Sequence, residues 1–266
     1  MFFVLAYVLT WAVWIPRALG VQVGVVAQLW TWIPAVAAFA AAALTGGRAA
    51  VGDLGRRLLR WRVAWLWYVV VLAGPAVFSL AVGGVYVLLG GSWSAALPPA
   101  FTMSVPSLVL FLVILTVTDG LGEEVGWRGF ALPRLLRHTT ALVASLILGV
   151  LWAGWHVPLI WTEGSALSGS PVWLLFINLS GTSVLFTWVF LRTRGSALLA
   201  ALLHGATNLF VVSPSPGVSG DLTLALLATA AKWVLVAVLL VVAGPQLTRR
   251  ADPEARYRPS DQRPSD

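Results

Sequence analysis

Glu123-Glu124-Val125-Gly126-Trp127-Arg128 stands inside an otherwise apolar stretch that runs from Val105 to about Pro133. The whole chain of 266 residues has four Glu, and two of them sit here side by side. On a helix, neighbours are about 100° apart while positions i and i+4 share a face. Glu124 therefore stacks with Arg128, and Glu123 points elsewhere. One carboxylate is held by an arginine and the other is left free.

The surroundings explain why this matters. Apolar residues make up 59% of the chain and charged residues 10%, with a mean hydropathy of +0.88. Those values lie well outside the range of soluble domains and specify an integral membrane protein. Cysteine is absent, which excludes disulfides, thiolate nucleophiles and Cys-based metal sites. The net charge of +7 comes from sixteen Arg and one Lys against ten acids. In a membrane protein such an excess marks loops beside anionic lipid, and nucleic acid is not an expected partner.

Outward from the Glu pair, hydropathy predicts an all-α polytopic bundle of about eight transmembrane helices. The first runs from Phe2 to about Ile15, a retained span with no basic n-region before it. The second covers about Val23 to Leu44. The segment 46–63 then sets Arg48, Arg56, Arg57, Arg60 and Arg62 among Leu54, Leu58, Leu59 and Trp61, as in an amphipathic helix on the inner leaflet. Spans three and four, at about 64–89 and 105–133, are separated by an uncharged loop. The fifth covers about 139–160, the sixth 172–191, the seventh 195–212 and the eighth about 222–242. Loops after spans two, four and six and the C-terminal tail hold almost all the Arg, which places both termini inside; Arg17 is the exception. No internal repeat divides the chain. Its parts are an N-terminal group of helices, 1–104, a core at 105–212, a last helix at 213–247 and a polar tail at 248–266 expected to be disordered.

Ionisable side chains at the centre of a span cost about 2.5 to 3.5 kcal/mol each on insertion scales, so their presence marks function. They cluster on three spans: Asp119, Glu123, Glu124 and Arg128 on the fourth, His156 on the fifth, and His204 on the seventh with Asn208 one turn on. With a rise of about 1.5 Å per residue, Glu123 and His204 each lie roughly 15 Å from their inner anchors, whereas His156 comes out nearer 27 Å from His138. Span five must therefore begin deeper, tilt, or break near Gly154 and Pro158. Asp119 is either a site neighbour or an interhelical contact, Lys232 has no evident partner, and the 15 Trp are read as interface anchors.

Three motifs in chain order, Glu-Glu-x-x-x-Arg at 123–128, aromatic-x-x-x-His at Trp152 and His156, and His-x-x-x-Asn at His204 and Asn208, resemble the CPBP family of intramembrane proteases. That family includes the CAAX prenyl endopeptidases and the bacteriocin-processing or self-immunity (Abi) proteins. The resemblance covers roughly 105–212, and Trp152 departs from the usual Phe. It implies that Glu123 activates a water with help from His156, that Trp152 packs the site, and that Glu124 and Arg128 orient it. His204 and Asn208 would then stabilise the oxyanion. If a metal such as Zn²⁺ takes part, Glu123, His156, His204 and Asn208 are the ligands the resemblance offers.

The function so implied is endoproteolysis of a membrane-associated peptide or protein, in a bacterial cell membrane to judge by the Arg-rich, Ala- and Val-rich composition. The competing expectations are a non-proteolytic scaffold or immunity protein of the same family and, further off, a proton-coupled transporter or a haem-binding cytochrome.

Overall fold

A computed structural model describes residues 1–24, 30–211 and 222–248. All regular structure among them is helical. Eight helices carry the architecture: α1 (Phe2–Ala18), α2 (Ile33–Leu58), α3 (Trp65–Leu88), α4 (Val105–Leu135), α5 (Ala141–His156), α6 (Val172–Arg192), α7 (Ala197–Leu209) and α8 (Leu222–Ala243). Six of the segments are long and apolar enough to cross a membrane; α1 and α7 are shorter apolar helices at the places where spans one and seven are expected. The chain is thus an integral, multi-pass, all-α membrane protein. The polar tail from Arg249 and the residues just before α8 fall outside the described residues.

Two boundaries differ from the sequence reading. Span two does not begin at Val23: a short 3-10 turn at 30–32 leads into α2 at Ile33, where Pro34 occupies an early position that needs no N–H. The Arg-rich segment is helical, as its pattern suggests, but it is not a separate element. It continues α2 beyond a kink at Gly47, whose φ of 57° and ψ of −152° turn the chain out of helical geometry. A side chain there would be strained, and glycine makes the turn without that cost. Past the kink, Asp53 pairs with Arg57 at 2.7 Å and with Arg56 at 3.4 Å, and Leu54 faces inward. The uncharged loop before α4 also gains structure, with a helical turn at Trp93–Ala96 capped by Ser92 and a 3-10 turn at Pro99–Thr102.

The core is built around α4. α7 packs along its first half and also against α3, α2 packs along its second half, and α5 lies against α6. Small residues permit the closest of these approaches: a Cβ on Gly120 would fall 2.3 Å from the carbonyl oxygen of Ala201 on α7, so only glycine fits that crossing. Within α4 the hydrogen bonding leaves α geometry twice. Thr116–Leu121 and Val125–Ala131 are π-helical, with a single α turn, Gly122–Glu124, between them. Such segments collect at functional sites, and here they bracket the Glu pair.

α5 resolves the depth conflict. The helix does break, passing at His156 into a 3-10 turn, Val157–Trp161. In that geometry the carbonyl of Trp155 would accept from residue 158, but Pro158 has no N–H. Instead the indole of Trp11 on α1 donates to Trp155 O at 2.9 Å, and the hydroxyl of Tyr7 donates to Leu151 O. Counted from the helix ends at Leu135 and Ala141, Glu123 and His156 lie about 18 and 22 Å in, a gap that a modest tilt closes.

Candidate active site

Glu123, Glu124, Arg128, His156 and His204 converge between α4, α5 and α7, and all but the partly exposed His156 are buried. The adjacent carboxylates take different partners, as their spacing requires. Glu124 accepts at Oε1 from Arg128 Nη1 at 2.9 Å and from His204 Nδ1 at 2.9 Å. Both Glu124 and Arg128 are fully buried. The guanidinium stacks over the rings of Trp152 and Phe186, at 4.5 and 4.9 Å from their centroids, a cation–π arrangement that is strongest away from water. Glu124 is therefore more than the partner of Arg128: it also fixes His204, 80 residues away in sequence.

Glu123 turns to α5. Its Oε2 accepts from the indole N–H of Trp152 at 2.6 Å, and its Oε1 lies 3.8 Å from His156 Nε2. His156 Nδ1 is 2.9 Å from the carbonyl of Trp152. A carbonyl only accepts, so Nδ1 carries the proton, and in the neutral ring Nε2 presents a lone pair. At 3.8 Å two acceptors do not bond each other. They converge on a point between them.

The same reasoning applies to His204. A carboxylate only accepts, so Nδ1–H donates to Glu124, and Nε2 can donate only when the ring is imidazolium. Its ring meets Trp152 and Phe186 edge-on, with centroids 5.6 and 5.9 Å away. Asn208, one turn on, donates from Nδ2 to Asp119 Oδ2 at 3.0 Å. Asp119 is thus an interhelical contact that orients Asn208, and among the described residues the second amide hydrogen of Asn208 has no partner.

Sequence reasoning missed three features. Trp152 was assigned packing alone, yet its N–H holds Glu123; a Trp standing one turn before a site histidine was the available signal. Phe186 on α6 was not singled out, since an aromatic in an apolar span carries no signal of its own. Lys232 does have partners: its Nζ donates to Asn178 Oδ1 at 2.6 Å and to Thr182 Oγ1 at 2.7 Å. Asn178 and Thr182, four apart on span six, were the polar pair that could have revealed them.

As for a metal, among the described residues no three His, Asp or Glu side chains are grouped to hold one. Of the four nominated ligands, Glu123 and His156 converge, His204 is turned to Glu124, and Asn208 is tied to Asp119. In this arrangement the set does not fit a metal ion.

The indole bond gives a first prediction. Trp152→Phe keeps a ring under Arg128 and removes the donor to a buried carboxylate. It is expected to lower stability by about 1.5–3 kcal/mol, the range for a hydrogen bond to a charged group, as read from unfolding in detergent.

Residues 105–210 match the model of the family described as Type II CAAX prenyl endopeptidase Rce1-like. A "CAAX prenyl protease 2" of Methanococcus maripaludis is 33% identical over 149 residues, which cover 53% of this chain and 54% of that protein. The chain thus spans about half the length of the curated relative it matches. The matched segment holds α4 through α7, and with them every group of the site just described. Through this segment the chain is similar to the Rce1-like CAAX prenyl endopeptidases and to that archaeal protease.

Proposed function

We propose that the chain is an intramembrane endopeptidase that hydrolyses a membrane-associated peptide or protein. The observation that carries this reading is the convergence of two acceptors, Glu123 Oε1 and His156 Nε2, 3.8 Å apart in a largely buried site. A water placed between them donates one hydrogen to each and turns a lone pair outward, poised to attack.

Glu123 takes one proton of that water as its oxygen bonds to the scissile carbonyl carbon. The carbonyl oxygen becomes an oxyanion, and Nε2–H of the His204 imidazolium and the uncommitted amide hydrogen of Asn208 are the donors to receive it. The proton held by Glu123 then passes to the peptide nitrogen as the C–N bond breaks, leaving a carboxylic acid and an amine. Glu124 keeps the protonated His204 ring aimed, and Arg128 balances the charge of Glu124. His156 stays neutral and serves as the second acceptor that orients the water.

The test is cleavage of a set of membrane-tethered peptides by purified wild type and by His156→Ala, with metal content determined on the same samples. The wild type is expected to cleave. His156→Ala, which loses an acceptor but no buried charge, should retain its fold and cleave at least about a hundredfold more slowly. A wild type that captures a peptide without cutting it would reverse the reading in favour of a scaffold or immunity protein.

A further inference from the structure

Arg17 and Glu163 stand at the end of the bundle opposite the arginine-rich loops. Among the described residues they are the one cation and the one anion there, Arg17 in the last turn of α1 and Glu163 just past the turn Val157–Trp161. With 17 residues, α1 rises about 26 Å, most of a hydrocarbon core of about 30 Å. Its last turn, and Arg17 with it, therefore lies at headgroup level.

The two side chains line one cavity of about 350 Å³, together with Gln22, Thr162 and the turn glycines Gly20, Gly24 and Gly164. That size suits a small-molecule group. Glu163 is exposed and Arg17 half-buried. Neither makes an ion pair or a side-chain hydrogen bond among the described residues. A Cβ built on any of the three glycines would meet nothing within 4 Å, so the space beside the charges is open.

A ligand that satisfies both charges carries an anion and a cation close together. A singly anionic lipid would leave Glu163 without a counter-charge, which disfavours it. A quaternary ammonium is held by the faces of aromatic rings, and among the described residues no ring lines this cavity. A primary ammonium instead donates charge-assisted hydrogen bonds to a carboxylate. Leu19 and Trp161, next in sequence to these residues, are exposed, as suits side chains that meet lipid at the interface.

We propose that this cavity binds the headgroup of an ethanolamine phospholipid from the leaflet opposite the arginine-rich loops, with the phosphate on Arg17 and the ammonium on Glu163. The lipid ties the end of α1 to the chain that leaves the break in α5. Trp14, about one turn before Arg17, has its ring 4.5 Å from that of Trp155 and 6.1 Å from that of His156, so the tie closes over the wall beside His156.

The full chain, purified in detergent, is incubated with phosphatidylethanolamine, phosphatidylcholine or phosphatidylglycerol of the same acyl chains. Bound lipid is counted by native mass spectrometry, and melting temperatures are taken on the same samples. The wild type is expected to retain the ethanolamine lipid about tenfold better than either of the others, the effect of one charge-assisted hydrogen bond, and to melt higher with it bound. Glu163→Gln should bring the ethanolamine-to-choline ratio to about one, and Arg17→Gln should lower retention of both zwitterionic lipids. Equal retention of those two lipids by the wild type, a preference for phosphatidylglycerol, or an ethanolamine preference that survives Glu163→Gln overturns the proposal. Variants that melt lower without lipid and keep the wild-type ratio would show that the two charges serve the fold alone.

Discussion

Glu123→Gln is expected to lower turnover of a cleaved peptide by about 10²- to 10⁴-fold, the range spanned by a single general base, without disturbing the fold. The substitution is nearly isosteric. Its amide oxygen can still accept from the Trp152 indole, the contact that holds the native carboxylate at 2.6 Å. What disappears is the second oxygen facing His156: an amide nitrogen placed there donates to Nε2 and closes the gap where water is to be held. Peptide affinity should change little, because no binding contact in the proposed mechanism runs through that oxygen. The comparison is of kcat against KM in purified protein, alongside the melting temperature. Turnover that survives at more than a tenth of the wild-type rate would remove Glu123 from the role of base.

Arg128→Met should have the largest effect on stability. Glu124 and Arg128 are both fully buried and bonded at 2.9 Å. Taking the two charges out of water is costly, and removing one leaves the other uncompensated, which destabilises by about 3–5 kcal/mol. The methionine approximates the arginine stem and keeps contact with Trp152 and Phe186, so loss of packing is small and the effect reports the charge. Restoring neutrality with Glu124→Gln in the same protein should recover a large part of the loss. Unfolding of the two single variants and the double variant in detergent gives the coupling directly. If Arg128→Met alone unfolds like wild type, the pair contributes nothing to the fold. A second consequence concerns His204, which shares the same oxygen of Glu124: without Arg128 that ring becomes, among the described residues, the one remaining hydrogen-bond partner of the carboxylate.

The parts of this arrangement visible in the sequence were those governed by local periodicity. The Glu124–Arg128 pair follows from i,i+4 geometry, and the separation of Glu123 from Glu124 follows from the 100° between neighbours. The spans follow from hydropathy. Contacts between helices were legible only as a gathering of types: Asp119 could be nominated as a neighbour, but nothing in its own stretch says that Asn208, 89 residues on, completes it. The Glu124–His204 bond and the indole bond of Trp152 were hidden for the same reason, since hydrogen-bonding direction depends on how α4, α5 and α7 rotate about their axes. The start of α2 was misplaced because residues before Ile33 are as apolar as those inside the helix. The continuity of α2 through Gly47 was missed because a Gly-Gly pair followed by Arg reads as a break between two elements, while the bend in fact sits on one residue.

The two π-helical segments of α4 bear on how this chain can change over evolutionary time. A π turn holds one residue more than an α turn. Losing one residue from Thr116–Leu121 would let the helix relax to ordinary geometry, yet it would swing everything on one side of the loss by about 100° relative to the other. The part of α4 before the loss would then no longer share a register with the residues that meet Trp152 and His204. Losing one from 125–127 would separate Glu124 from Arg128 in the same manner. Substitutions along this stretch can be absorbed one at a time, whereas insertions and deletions cannot. Descendants that keep the site are therefore expected to align across 116–131 without a gap, however far their side chains have diverged.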